Sequence, residues 1–185
     1  MPPLPSASAA LRAVFLDWLT RFSACVRDVD YAAARLMFHP DVLAFGTHRD
    51  IIPGLEAWIN TQWDNVWPKT TDFTFDLDGT HVLASADESM AVVVTPWTST
   101  GYHQDMTPFD RPGRATMVFN RLDGAWVCTH SHMSLNRGVP QASHANRPVK
   151  ARQPEIGGIS LRASSRPPSP APAAPACGAR PSDIR

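Results

Sequence analysis

Two histidines spaced two apart, His130 and His132, close the run Ala125-Trp-Val-Cys-Thr-His-Ser-His-Met-Ser134. The run is β-prone, and alternation along a strand puts both imidazoles on one face. Histidine titrates near neutrality, so either can take or give a proton. The pair can also begin a metal site if His103, His48 or Asp105 reaches it as a third ligand. The plainer alternative is a structural or interface role on an outer sheet face. A second acid/base pair, His48 and Asp50, follows the short apolar run Val42-Leu-Ala-Phe45. Above a pocket such a pair can shuttle a proton. As an ordinary loop it is simply solvated.

Six tryptophans are more than a core of this size needs. Phe45, Trp63, Trp97 and Tyr102 therefore read as walls for a planar or apolar ligand. Met117 and Met133 suit the same walls, because methionine adapts to shape. Phe119, Thr129 and Ser131 join them on the last two strands. For each of these the alternative is plain core packing. Asp105, Asp110, Arg111 and Arg114 flank a long polar loop over residues 99–112. An Arg–carboxylate pair there can hold the loop over a pocket mouth, whereas an ordinary surface pair is worth under about 1 kcal/mol.

The elements that must position these residues follow from periodicity. Leu11, Val14, Phe15, Trp18, Phe22, Cys25 and Val26 recur at spacings of three and four, which predicts an amphipathic helix. Asp28 or Asp30 can cap a second helix over 31–38, which His39-Pro40-Asp41 ends. Val42 to Phe45 reads as a short strand. Pro53 suits the first turn of a third helix with Leu55, Trp58, Ile59, Gln62 and Val66 inside. Strands follow at 72–77, 81–84 and 90–97. The last hairpin turns on Asp123-Gly124, a dipeptide that tolerates positive φ at both positions of a type I′ turn. Helices first and antiparallel strands later make an α+β domain, with a pocket between helices and sheet.

Bulk composition bounds the rest. From Pro140 onward there are nine prolines in 46 residues, with seven Lys/Arg against two acids. Such a segment reads as a disordered basic tail. The expected organisation is a disordered 1–7, a folded domain over 8–139 and a tail over 140–185. The remainder carries ten basic against fifteen acidic residues, which argues against nucleic acid as a partner. Three widely spaced cysteines suggest no disulfide framework, and the first residues lack a basic leader before an apolar run. Both point to the cytoplasm, with no membrane partner. No cofactor is expected: phosphate loops, zinc-finger spacings, nucleophile elbows and dinucleotide fingerprints are absent from the sequence.

Over residues 8–136 the chain resembles the NTF2-like superfamily, in particular its SnoaL-like branch. It is also similar to the association domain of calmodulin-dependent kinase II. The resemblance rests on Asp28-Val-Asp-Tyr-Ala-Ala-Ala-Arg-Leu-Met-Phe-His-Pro-Asp-Val-Leu-Ala-Phe45, on Gly54-Leu-Glu-Ala-Trp58 and on Arg121-Leu-Asp-Gly-Ala-Trp-Val-Cys-Thr-His-Ser-His-Met-Ser134. It implies a cone in which N-terminal helices pack on a curved, mostly antiparallel sheet around a pocket. Ketosteroid isomerase relatives carry a carboxylate base at the end of the first strand, where this chain has Phe45-Gly46. The kinase domain's pocket is lined by arginines, where this chain carries Met117 and Met133. The resemblance thus implies a mostly apolar pocket, unsuited to a small carboxylate because nothing offsets its desolvation. The function expected is cofactor-independent isomerisation, cyclisation or dehydration of a small apolar or aromatic molecule. The catalytic candidates are His48 and Asp50, then His130 and His132. The alternative is a non-catalytic ligand-binding or homodimeric assembly module that pairs through the outer sheet face.

Overall fold

The first helix forms where the apolar spacing demands it. In the computed structural model, which describes residues 4–47 and 50–150, α1 runs over Ala9–Asp28. Ser8 caps its start by accepting from the Leu11 N–H at 3.2 Å, and Val29 ends it in a left-handed conformation. Phe15, Trp18, Leu19 and Phe22 on its inner stripe are all buried. Of the two possible caps for α2 (Tyr31–Arg35), Asp30 serves, accepting from the Ala33 N–H at 3.0 Å. This helix is shorter than its pattern suggests. Phe38-His39-Pro40-Asp41 has already joined β1 (Phe38–Phe45), because Phe38 packs edge-on to Trp18 and Trp58.

After the two-residue β2 (Ile52–Pro53), the third helical segment changes pitch along its length. It opens as α3 (Leu55–Trp58) and widens to a π-helical turn over Ile59–Trp63. It resumes as α4 (Asp64–Val66) and tightens to a 3-10 turn over Trp67–Lys69. The π turn carries one extra residue per turn, so Trp58, Gln62 and Trp63 can all face inward and are buried together.

The strands that follow are β3 (Thr71–Phe75), β4 (His81–Ala84), β5 (Met90–Tyr102), β6 (Pro108–Asp110), β7 (Gly113–Leu122) and β8 (Ala125–Leu135). They form one eight-stranded mixed sheet in the order β2-β1-β8-β7-β5-β3, with β4 and β6 also paired to β5. Among the described residues only β1 and β8 pair in parallel. Strand β5 continues beyond Trp97 to Tyr102, and most of the polar loop expected at 99–112 is a β5–β6 hairpin. The Asp123-Gly124 turn has φ of 50° and 82°, as a type I′ turn requires.

The register of β7 and β8 shifts between Val118 and Phe119, where Thr129 is the extra residue of a bulge. Parity therefore changes within β8. Cys128 and Trp126 face the core, with Trp126 at 5.2 Å from the Phe15 ring, although unbroken alternation would send them outward with the histidines. Beyond the bulge Ser131 and Met133 face inward, and His130 and His132 face outward.

Residues 140–150 lie along the domain as an extended strap. The rest of the tail, 151–185, lies outside the described residues. No described helix is long and apolar enough to cross a membrane.

Candidate functional site

A cavity of about 40 Å³ lies between the 55–70 segment, the end of β1 and the inner sheet face. Its walls are mostly aromatic: Trp58, Trp63, Trp67, Phe73 and Trp97, with Phe45, Met133 and Val26. Trp63 and Trp67 stack at 4.2 Å between centroids. The volume holds about two or three water molecules, or the head group of a small ligand. A steroid-sized molecule enters only if a wall moves.

Its polar groups are few and lie together. Arg111 is 2% exposed. Its backbone pairs with Ser99 through N–H···O bonds of 2.8 and 3.2 Å, which turns its side chain to the inner face beside Trp97. A Cβ at Gly113 would lie 2.2 Å from Trp97, so only glycine lets that indole lie flat across the sheet. The guanidinium then sits over it, 5.8 Å from the ring centroid. Its Nη2 donates to Thr47 Oγ1 at 3.4 Å, and Gln62 Nε2 donates to the same oxygen at 3.1 Å. A Cβ at Gly46 would lie 2.2 Å from Gln62 Cδ, so the carboxamide fills the place of a side chain there.

Arg111 has no ion-pair partner among the described residues, and its buried Nε–H has no acceptor. Burial pushes its pKa down from the ordinary guanidinium range to about 10. The indole N–H groups of Trp58, Trp63 and Trp97 are also buried without acceptors. All four are donors only, so these residues hold a surplus of unmatched donors. Its described lining contains no carboxylate, imidazole or thiol.

The sequence candidates separate on this map. Trp63, Trp97 and Met133 line the cavity, and Phe45 borders it at the end of β1 with its ring turned to His130 and His132. Met117, Phe119 and Ser131 are fully buried in the core beyond it, Phe119 at 4.7 Å from Phe15 and 4.9 Å from Trp18. Thr129 is held at the bulge by a 2.6 Å hydrogen bond to Asn120. Tyr102 bonds Thr71 at 2.9 Å, outside the lining. His130 and His132 lie on the outer face against the edge of Phe45, at 5.8 and 5.1 Å between rings. Among the described residues no three His, Cys, Asp or Glu converge on a metal position. Asp50 is exposed, and His48 lies outside the described residues. Asp105, Asp110 and Arg114 are exposed and form no ion pair, so the expected clamp over the pocket mouth is absent among the described residues.

Arg111 is the main correction. From the sequence Arg111 is expected at the rim of a surface loop over an apolar pocket, whereas it is the pocket's buried charge. A signal was present: Arg111, Gly113, Ala115, Met117 and Phe119 alternate as one inward face.

The SnoaL-like domain family model matches residues 16–137. The chain belongs to the SnoaL-like family. Solved structures agree with this SnoaL-like fold. The association domain of C. elegans CaMKII is 16% identical with a TM-score of 0.56, covering 68% of this chain and 95% of that one. An NTF2-like superfamily protein from Salmonella enterica is 18% identical, TM-score 0.59, with 72% and 97% covered. A putative dehydratase of the NTF2-like family from Streptomyces avermitilis is 15% identical, TM-score 0.56, with 70% and 97% covered. A search of the curated proteins gives no match. At these identities the likeness concerns the fold of the SnoaL-like domain alone.

Proposed function

We propose that this SnoaL-like domain binds a compact, flat, largely apolar molecule whose anionic oxygens sit on Arg111. One observation carries the reading: a guanidinium 2% exposed, without an acidic partner among the described residues, in an aromatic cavity. A buried cation without a counter-charge costs stability, and a ligand oxyanion offsets that cost. The donor-only indoles favour the same group. If the domain also performs isomerisation, cyclisation or dehydration, Arg111 would stabilise the enolate-like oxygen that forms. The described lining supplies no base, so the proton would be moved by a group outside it, with His48 and Asp50 as the candidates.

The test is a thermal-shift series with benzoate, cinnamate and their neutral amides, on the native chain and on Arg111→Met. A ligand that binds the folded state raises Tm. Only the carboxylates are expected to do so, and only with Arg111 present. Equal shifts from the amides, or shifts that survive Arg111→Met, would overturn the reading.

A second reading rests on the outer sheet face. Leu43 and Val94 are exposed there, and Phe45 lies beside His130 and His132. This face would pair two copies of the chain, making the domain an assembly module. Light scattering on His132→Glu is the check. A dimer that falls apart supports the interface, and an unchanged mass rejects it.

A further inference from the structure

We propose that residues 140–150 form a releasable latch that sets access to the tryptophan-lined cavity. The strap caps the C-terminal ends of both helical walls. On the 55–70 segment, the Trp67 carbonyl accepts from Arg147 Nη2 at 2.7 Å and the Pro68 carbonyl from the Arg147 N–H at 2.8 Å. The Lys69 carbonyl accepts from the Ser143 hydroxyl. On α1, the Arg27 carbonyl accepts from Arg147 Nη1, and the Val29 carbonyl from the Lys150 N–H at 3.2 Å. Helix ends leave carbonyls without partners, and here one segment satisfies both sets. Ser143 and His144 also pair with the backbone of Tyr102, at 2.9 and 3.0 Å.

Arg147 thus ties together two walls that line the cavity through Val26 on one side and Trp67 and Thr70 on the other. Freeing it lets the 67–70 turn move away from α1, which a cavity of about 40 Å³ requires before it can admit more than a head group.

The strap is built to come off. Only Ser143 and Ala145 are buried in it, and no large apolar side chain anchors it. It is held by hydrogen bonds near the surface and by the Lys150–Asp30 pair at 2.8 Å, in which Lys150 is 55% exposed. Segments with few buried apolar contacts and exposed hydrogen bonds open at low free energy, without global unfolding.

The test needs no ligand, so its failure is separate from that of the anion reading. Trp58, Trp63, Trp67 and Trp97 report on the cavity themselves. Acrylamide quenching and hydrogen exchange are measured on the full chain, on Arg147→Ala combined with Ser143→Ala, and on the milder Lys150→Glu. Circular dichroism confirms that each variant folds. The expected result is a rise of at least about two-fold in the quenching constant, with faster exchange at Trp67 and at residues 69–70 alongside 143–147. Fast exchange at 143–147 with quenching and 67–70 unchanged would overturn the proposal. So would strap amides as protected in the native chain as those of β7.

Discussion

Replacing Arg111 by methionine is expected to stabilise the unliganded protein. Burial alone lowers the guanidinium pKa by more than two units, to about 10. At 1.36 kcal/mol for each tenfold change, the folded state carries a cost of about 3 kcal/mol. The sign follows from the group being a cation. Its folded pKa is lowered, so the full cost applies at every pH below about 10 and fades only as pH rises from there towards the ordinary guanidinium range. Two interactions oppose the cost. The Trp97 face contributes about 1 kcal/mol, and the 3.4 Å hydrogen bond to Thr47 about 0.5 kcal/mol. Methionine fills much of the space and brings no charge. The net gain is about 1–2 kcal/mol, or about 3–6 °C in Tm for a domain of this size. Urea unfolding at neutral pH, followed by far-UV circular dichroism, measures it. A loss of about 1 kcal/mol or more would make the guanidinium a structural anchor instead of a charge held for a ligand.

Two glycines separate crowding from backbone strain. In Gly113→Ala the new Cβ meets Trp97 at 2.2 Å and the Ser134 carbonyl at 2.4 Å. The expected loss is about 3 kcal/mol, read from the urea midpoint. Gly124→Ala meets nothing within 4 Å but sits at φ +82°, so about 1 kcal/mol is expected and the order of the two should not reverse. At low pH the strap is expected to loosen first. The Asp30 carboxyl at the start of α2, which Lys150 of the strap pairs with, is held below its ordinary 3.8 by the hydrogen bond from Lys150, then by that from the Ala33 N–H. A lowered carboxylate contributes stability above its unfolded pKa and loses it as pH falls through the folded one. Exchange at residues 143–150 should therefore rise below pH 3.8 ahead of that in β7, and simultaneous loss would contradict the assignment.

Local patterns were the legible ones. The inner stripe of α1 is set by spacing within one element, and the β7–β8 turn by two residues that accept positive φ. Strands β2 and β6 escaped because a two- or three-residue strand is defined by its partner, and neither Ile52-Pro53 nor Pro108 to Asp110 carries its own alternation. Proline after His39 suggested only a stop, although β1 runs through it at the sheet's margin. The three cavity-lining aromatics Phe45, Trp63 and Trp97, and Met133, came from composition and resemblance together. Arg111 did not, because Asp110-Arg-Pro-Gly113 reads locally as a turn. Its burial is decided by Ser99 and Trp97, more than ten residues earlier. The bulge at Thr129 is likewise invisible in β8 alone, since it exists only relative to β7.

The π-helical turn over Ile59–Trp63 has a consequence for how such a pocket can change. An ordinary helix adjusts its inner surface one side chain at a time. A π turn is a difference in length, one residue gained without breaking the helix. Removing one exposed position, such as Asn60, would restore regular pitch while the helix on either side kept nearly the same phase, because the wide turn absorbs the lost residue. The turn would then present fewer inward side chains than Trp58, Gln62 and Trp63 together, while the sheet kept its register. In this SnoaL-like chain, one codon's worth of backbone sets how many side chains the cavity wall presents.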